Sequence, residues 1–199
     1  MQSVEYKIER SIKAKPKGSL LFPDDFADKG SADSIRKALQ ALKDKGLIKS
    51  VAHGIYVYPK VNSYIGEVLP TAEEVAQAIA KRDKIRLVPT GAYSLHALGL
   101  STQIPLKLVF LTDGAARTIK VGKRTIKLKK ATPKNLMAKG KISSLAIQAL
   151  REIGKDKASP TELKKIVKLL KEEDPQLLKH DIKLAPEWIK LIMKKAIDG

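Results

Sequence analysis

Val4, Ile8 and Ile12 recur every four residues behind Ser3, with Tyr6 at the flank, and predict a short N-terminal helix that buries a narrow stripe and stops by Pro16-Lys17-Gly18. The apolar run Leu20-Leu21-Phe22 reads as a short strand, and Pro23 followed by Asp24-Asp25 opens a short helix that Gly30 ends. The strongest helical pattern begins at Ser31 and runs to about Lys45, with Ile35, Ala38, Leu39 and Leu42 on one face and Gly46 as the cap beyond the last turn. Leu47–Val51 and Ile55–Tyr58 then alternate as a hairpin across His53-Gly54, stopped by Pro59. Helix, strand, short helix, turn, helix and hairpin is the order of a winged helix-turn-helix.

Beyond Pro70 the pattern changes. Thr71-Ala72-Glu73-Glu74 is a capping box ahead of Val75 and Ile79, Ile85–Val88 reads as a strand, and Thr90–Leu98 as a helix closed by Gly99. Leu106–Thr112 is a second strand turning at Asp113-Gly114, and Thr118–Val121 with Thr125–Lys129 form a hairpin across Gly122-Lys123. The rest is helical: Ile142, Leu145, Ala149, Leu150 and Ile153 share one face, Ser159-Pro160-Thr161-Glu162 is a second capping box, Asp174-Pro175 starts a short piece and Pro186 a final helix. The predicted class is α+β: a winged helix-turn-helix over residues 1–69, a small α+β module with antiparallel strands over 70–138, and a helical segment over 139–199.

Charge sharpens this picture. Of 199 residues, 39 are Lys or Arg and 21 Asp or Glu, a net charge of +18, which favours a polyanionic partner through counterion release. Residues 70–138 hold 13 basic against 4 acidic side chains, the largest share of the excess. Aromatics are 5%, few for stacking on single strands. There is no cysteine, which removes disulfides, thiolate metal sites and thiol nucleophiles. The segment Met1–Lys7 lacks the apolar stretch of a signal peptide and no run approaches membrane-spanning length, so a cytoplasmic protein with no membrane partner is expected.

With Ile35, Ala38, Leu39 and Leu42 inward, the residues Asp33, Ser34, Arg36, Lys37, Gln40 and Lys43 face outward. Arg and Gln suit guanine and adenine edges in the major groove, and Ser31 and Ser34 at the helix start suit phosphate. Lys49 and His53 lie in the wing. A second constellation, Arg117, Lys120, Lys123, Arg124, Lys127, Lys129, Lys130 and Lys134, contains no acidic residue. Lys127 and Lys129 share one face of a strand, Ile126 and Leu128 the other, an arrangement that suits a phosphate backbone or an edge strand guarded against aggregation. Nothing asks for catalysis, a cofactor or a metal. His53, His96 and His180 are scattered, Asp113 is a lone carboxylate, Gly91-Ala92-Tyr93-Ser94 is not a nucleophile elbow, and Gly122-Lys123-Arg124 lacks the remainder of a P-loop.

Several strings together resemble the AbiEi-like antitoxins of abortive-infection, type IV toxin–antitoxin systems. They are Pro16-Lys17-Gly18-Ser19 with Asp25-Phe26, Ile35-Arg36-Lys37-Ala38-Leu39 with Leu42 and Gly46, and Gly54-Ile55-Tyr56 with Pro59. Thr90-Gly91-Ala92-Tyr93-Ser94-Leu95, Leu98-Gly99-Leu100-Ser101-Thr102-Gln103-Ile104-Pro105, and Thr112-Asp113-Gly114 with Arg117 complete the resemblance, over about residues 1–155. It implies a repressor whose winged helix binds inverted repeats in its own promoter, and whose remaining chain opposes a nucleotidyltransferase-like toxin with or without a stable complex. Carried over, it makes Ser31, Ser34, Arg36, Lys37 and Gln40 the expected DNA readers, with Lys49 and His53 in the wing. An alternative is an RNA-binding module using the basic 117–134 hairpin, for instance to shield an RNA target.

Overall fold

In the computed structural model, which describes residues 2–198, helix α1 (Val4–Lys13) is capped by Ser3, whose hydroxyl accepts from the Tyr6 amide, and buries Ile8 and Ile12 completely. A two-residue strand β1 (Leu20–Leu21) leads into a 3-10 turn over Pro23–Phe26, where the Asp25 carboxylate accepts from the Phe22 amide at 2.9 Å. Helix α2 (Ala32–Asp44) follows with Ser31 as its cap, then β2 (Lys49–Ala52) and β3 (Ile55–Val57). The three strands form one antiparallel sheet in the order β1-β3-β2, which is the winged-helix arrangement. Its core joins Ile8 and Ile12 of α1 to Leu21, Phe26, Ile48 and the predicted α2 stripe of Ile35, Ala38, Leu39 and Leu42. The helix expected after Pro23 is thus only a 3-10 turn, since four residues offer no room for a second α-turn.

A second hairpin follows directly, β4 (Lys60–Asn62) and β5 (Gly66–Val68), in a stretch where no element was expected. The Asn62 side-chain oxygen accepts from the amides of Tyr64 and Ile65 and folds the tip, and Gly66 takes the left-handed conformation that closes it.

Helix α3 (Ala72–Asp83) carries the predicted capping box: the Thr71 amide donates to Glu74, and the Glu74 amide to the Thr71 hydroxyl. Strand β6 (Leu87–Thr90), helix α4 (Ala92–Ala97), β7 (Lys107–Thr112), β8 (Arg117–Val121) and β9 (Arg124–Lys130) come next. They build a four-stranded sheet in the order β6-β7-β9-β8. Not all of it is antiparallel, as had been expected. β6 pairs with β7 antiparallel, from Leu87 opposite Thr112 to Thr90 opposite Val109, but β7 pairs with β9 parallel, from Lys107 beside Thr125 to Thr112 beside Lys130. The hairpin accounts for this: β8 takes the edge, so its return strand enters beside β7 running in the same direction. Strand β6 also begins two residues later than the apolar pattern suggests, because the Arg86 amide is held by the Asp113 carboxylate at 2.8 Å.

Helices α5 (Pro133–Leu136), α6 (Lys141–Ile153), α7 (Pro160–Leu170), α8 (Pro175–Ile182) and α9 (Glu187–Asp198) complete the chain. Leu145, Ala146, Ile147, Ala149 and Leu150 are buried with Ile166, Leu170, Leu178, Ile182, Ile189 and Met193. The start of α6 is closed by carboxylates from further along the chain. Asp181, fully buried, accepts from the amides of Lys139 and Gly140 and from the Ser143 hydroxyl at 2.5 Å, while Glu173 accepts from the amides of Ile142 and Ser143.

The chain divides into two compact units, Met1–Ala78 with Ile119–Lys123, and Ile79–Thr118 with Arg124–Gly199, where the sequence pattern suggests segments 1–69, 70–138 and 139–199. Residues 139–199 do not stand apart, because α6 is buried on nearly every side over residues 145–150 and packs on both β6 and α4. The first boundary falls inside α3 rather than at Leu69. The architecture is α+β. No helix of the described residues is long and apolar enough to cross a membrane.

Candidate nucleic-acid interface

The outward face of α2 is set by its own buried face. With Ile35, Ala38, Leu39 and Leu42 inside, Asp33, Arg36, Lys37 and Gln40 are exposed, and Lys43 is half-buried. These side chains are tied to one another along the helix. Asp33 accepts from Arg36 Nη2 at 2.8 Å and from Lys37 Nζ at 3.0 Å, and Gln40 Nε2 donates to Asp44 Oδ1 at 2.8 Å. The bonds from Lys37 and then Arg36 hold the Asp33 carboxyl below its ordinary range. Asp33 therefore orients the two cations and neutralises part of their charge; a major-groove contact by either would exchange one exposed ion pair, worth little in water, for a bond to a base.

The serines at the helix start are spent on the cap. The Ser34 amide donates to Ser31 Oγ at 3.3 Å, and the Ser34 hydroxyl donates to the Ser31 carbonyl at 2.8 Å. The two hydroxyls are themselves 3.0 Å apart. Ser34 sits half-buried against Gly30, where a Cβ would lie 2.7 Å from Ser34 Oγ and 2.9 Å from Val4 Cγ2, so any larger residue there would force these side chains to shift. The phosphate role expected of Ser31 and Ser34 would compete with those bonds. The wing holds Lys49 and His53 as placed from the sequence: His53 is exposed at the tip beside Gly54, whose positive φ makes the two-residue turn, while Lys49 is ion-paired with Glu67 of β5.

The second constellation is split in the same way. Lys120, Lys123, Lys129, Lys130 and Lys134 are exposed, and Lys127 and Arg124 half-buried. Ile126 and Leu128 are buried on the opposite face of β9, as the alternation predicts. Arg117, however, does not belong to a free basic surface: its guanidinium is ion-paired with Asp83 at the end of α3. Arg82 Nε also donates to Asp83, at 2.6 Å. The Arg82 bond first, then Arg117, outweigh partial burial and keep the Asp83 carboxyl low.

The groups that might have suggested catalysis have structural occupations. Asp113 accepts the Arg86 amide, and His180 Nδ1 lies 2.7 Å from Asp181 Oδ1. Among the described residues no group of three or more His, Asp or Glu side chains is placed to hold a metal ion. What sequence reasoning missed is the set of acidic partners, Glu67, Asp83, Asp181 and Glu173, together with the β4–β5 hairpin. Only the hairpin left a local signal, the Asn62-Ser63 turn and Gly66 between Pro59 and Pro70.

A family model matches residues 7–178, most of both units. The chain belongs to DUF6088, a family of unknown function. No curated protein matches the sequence. Among solved structures, the RV2827C protein from Mycobacterium tuberculosis is similar over 96% of this chain and 81% of that one, at 11% identity and a TM-score of 0.45. The DUF6088 match spans the winged helix, the mixed sheet and the helices through the first half of α8.

Proposed function

We propose that this protein is a DNA-binding transcriptional autorepressor and the antitoxin of a type IV toxin–antitoxin system. The observation that carries the DNA-binding part is the exposed polar face of α2, where Arg36, Lys37 and Gln40 project from the second long helix of a winged-helix unit followed by its wing. The net charge of +18 supplies the long-range attraction to duplex DNA. The antitoxin part, opposing a nucleotidyltransferase-like toxin in phage defence, rests on the resemblance of the Thr90–Pro105 strings to the AbiEi-like family. In this reading the protein binds and does not catalyse, and it works in the cytoplasm.

A mobility-shift titration with the DNA upstream of its own gene tests the first part. Arg36→Ala and Lys37→Ala are each expected to weaken specific binding by about 1–3 kcal/mol if the residue reads a base, leaving non-specific binding less affected. Unchanged affinity in both variants removes α2 as the reader. Co-expression with the neighbouring nucleotidyltransferase-like gene tests the second part, with rescued growth as the expected result.

A second reading follows from β9, where Lys127 and Lys129 share one face and Lys130 extends the charge. The fold offers no base reader there, so this surface fits a phosphate backbone, including that of a folded RNA. Lys127→Glu combined with Lys129→Glu is expected to lower tRNA affinity by roughly tenfold or more and to flatten its salt dependence by about two phosphate contacts. Loss for tRNA with duplex binding intact favours the RNA reading; no loss for either polymer removes the hairpin from both.

A further inference from the structure

The row of α2 opposite its buried stripe begins and ends on a carboxylate. Asp33, Arg36, Lys37, Gln40 and Asp44 follow one another at helical spacing, and all five are exposed. Asp33 accepts from Arg36 Nη2 at 2.8 Å and from Lys37 Nζ at 3.0 Å, and Asp44 accepts from Gln40 Nε2 at 2.8 Å. In the wing, Lys49 is ion-paired with Glu67. Arg36, Lys37, Gln40 and Lys49 are thus each held by an acid, whereas among the described residues Lys123, Lys129 and Lys130 pair with none. Acids are the scarcer charge, 21 against 39 cations, and three of them stand beside these four side chains.

We propose that Asp33 sets the specificity of α2 by withholding Arg36 and Lys37 from the phosphate backbone, which rests on the reading of α2 as the DNA-binding helix. Two cations share one carboxylate, so Arg36 can leave for the paired acceptors of a guanine edge while Lys37 keeps Asp33 neutralised. Sequence-blind binding asks both to leave for phosphates, and a bare carboxylate then faces the polyanion. The ion pairs themselves are worth little in water, but a like charge brought against phosphates is costly. Discrimination of this kind comes from a charge stripped of its partner on the wrong duplex rather than from a better contact on the right one. Asp33 also lies in the first turn of α2, where an acid favours the helix dipole, a role that would not distinguish one duplex from another.

Fluorescence anisotropy on the full chain, with the duplex upstream of its own gene and a scrambled duplex of equal length, between about 50 and 200 mM salt, is the test. Asp33→Asn is expected to tighten binding to the scrambled duplex roughly tenfold at the lower salt and to steepen its salt dependence by about two phosphate contacts. Affinity for the upstream duplex is expected to rise less, so that the ratio between the two falls by about threefold or more. Adding Arg36→Ala and Lys37→Ala to Asp33→Asn is expected to abolish the gain, since no cation is left to release. Scrambled-duplex affinity that stays level or falls overturns the proposal, and so does an equal rise for both duplexes. Upstream affinity lost with scrambled binding unchanged also overturns it, and assigns Asp33 to a base contact instead. Failure of α2 as the reader shows separately, as native upstream affinity in Arg36→Ala with Lys37→Ala on an unaltered Asp33.

Discussion

Asp181→Ala is expected to destabilise the helical part of the second unit by about 3 kcal/mol, measured by denaturant titration at about pH 7. The carboxylate is completely buried and holds four partners: the amides of Lys139 and Gly140 at 2.9 and 2.8 Å, the Ser143 hydroxyl at 2.5 Å and His180 Nδ1 at 2.7 Å. Alanine leaves the Lys139 and Gly140 amides without their acceptor at the start of α6 and leaves the Ser143 hydroxyl only its 3.4 Å contact with Glu173. Glu173 still serves Ile142 and Ser143, which limits the loss. Asp181→Asn keeps the shape, loses the charge, and is expected to cost less.

The same site predicts a pH dependence. Burial works against the charge and is the largest single influence, but Ser143, His180 and the two amides together outweigh it and hold the carboxyl below its ordinary value of 3.8. A depressed pKa in the folded state means that the stabilisation is complete above the unfolded value and is lost as pH falls through the folded one. The stability gap between the native protein and Asp181→Asn is thus expected to be full above about pH 5 and to close under stronger acid. A gap that stays constant down to about pH 2 would show that the charge contributes nothing.

Leu39→Ala carries the second large effect, about 2–5 kcal/mol in the winged-helix unit. Leu39 is completely buried with Ile8 and Ile12 of α1, Leu21 and Phe26, in the cluster that seats α2. Truncation opens a cavity there, and the change from solvent-facing to core-facing positions on one helix gives a control. Arg36→Ala, one turn away on the exposed face, is expected to stay within about 0.5 kcal/mol of native stability. Thermal melts of both variants therefore separate folding from reading. DNA affinity lost in Leu39→Ala and restored on cooling would be a folding effect, whereas the loss in Arg36→Ala would persist in a fully folded protein.

Legibility in the sequence followed the range of the interaction. The face of α2 was readable because residues three and four apart meet on any α-helix, and the caps at Ser3, Ser31, Thr71 and Ser159 because a side chain reaches an amide two or three residues away. The turns at His53-Gly54 and Gly122-Lys123 were readable because glycine tolerates the positive φ they need. Strand edges were less so: the apolar run at Ile85–Val88 marks a strand, but hydrogen bonding to β7 sets its span at Leu87–Thr90.

The candidate site was legible to the same depth. Periodicity alone placed Asp33, Arg36, Lys37 and Gln40 of α2 and Lys129 of β9 in solvent, whereas Ser34, Lys43 and Lys127, read as outward, are half-buried. The availability of the charges was not legible. Arg117 reads as one of a run of cations until Asp83, 34 residues earlier, is found against it, and Lys49 reads as a wing lysine until Glu67 pairs with it 18 residues later. Local pattern thus determined which residues face inward and which outward, because the helix and strand periods are fixed by backbone geometry. Tertiary structure alone decided the parallel pairing of β7 with β9, the merging of residues 139–199 with the mixed sheet, and which charges are already spent. Those outcomes depend on which distant surfaces meet when burial is shared among all the elements, and no spacing along the chain encodes that competition.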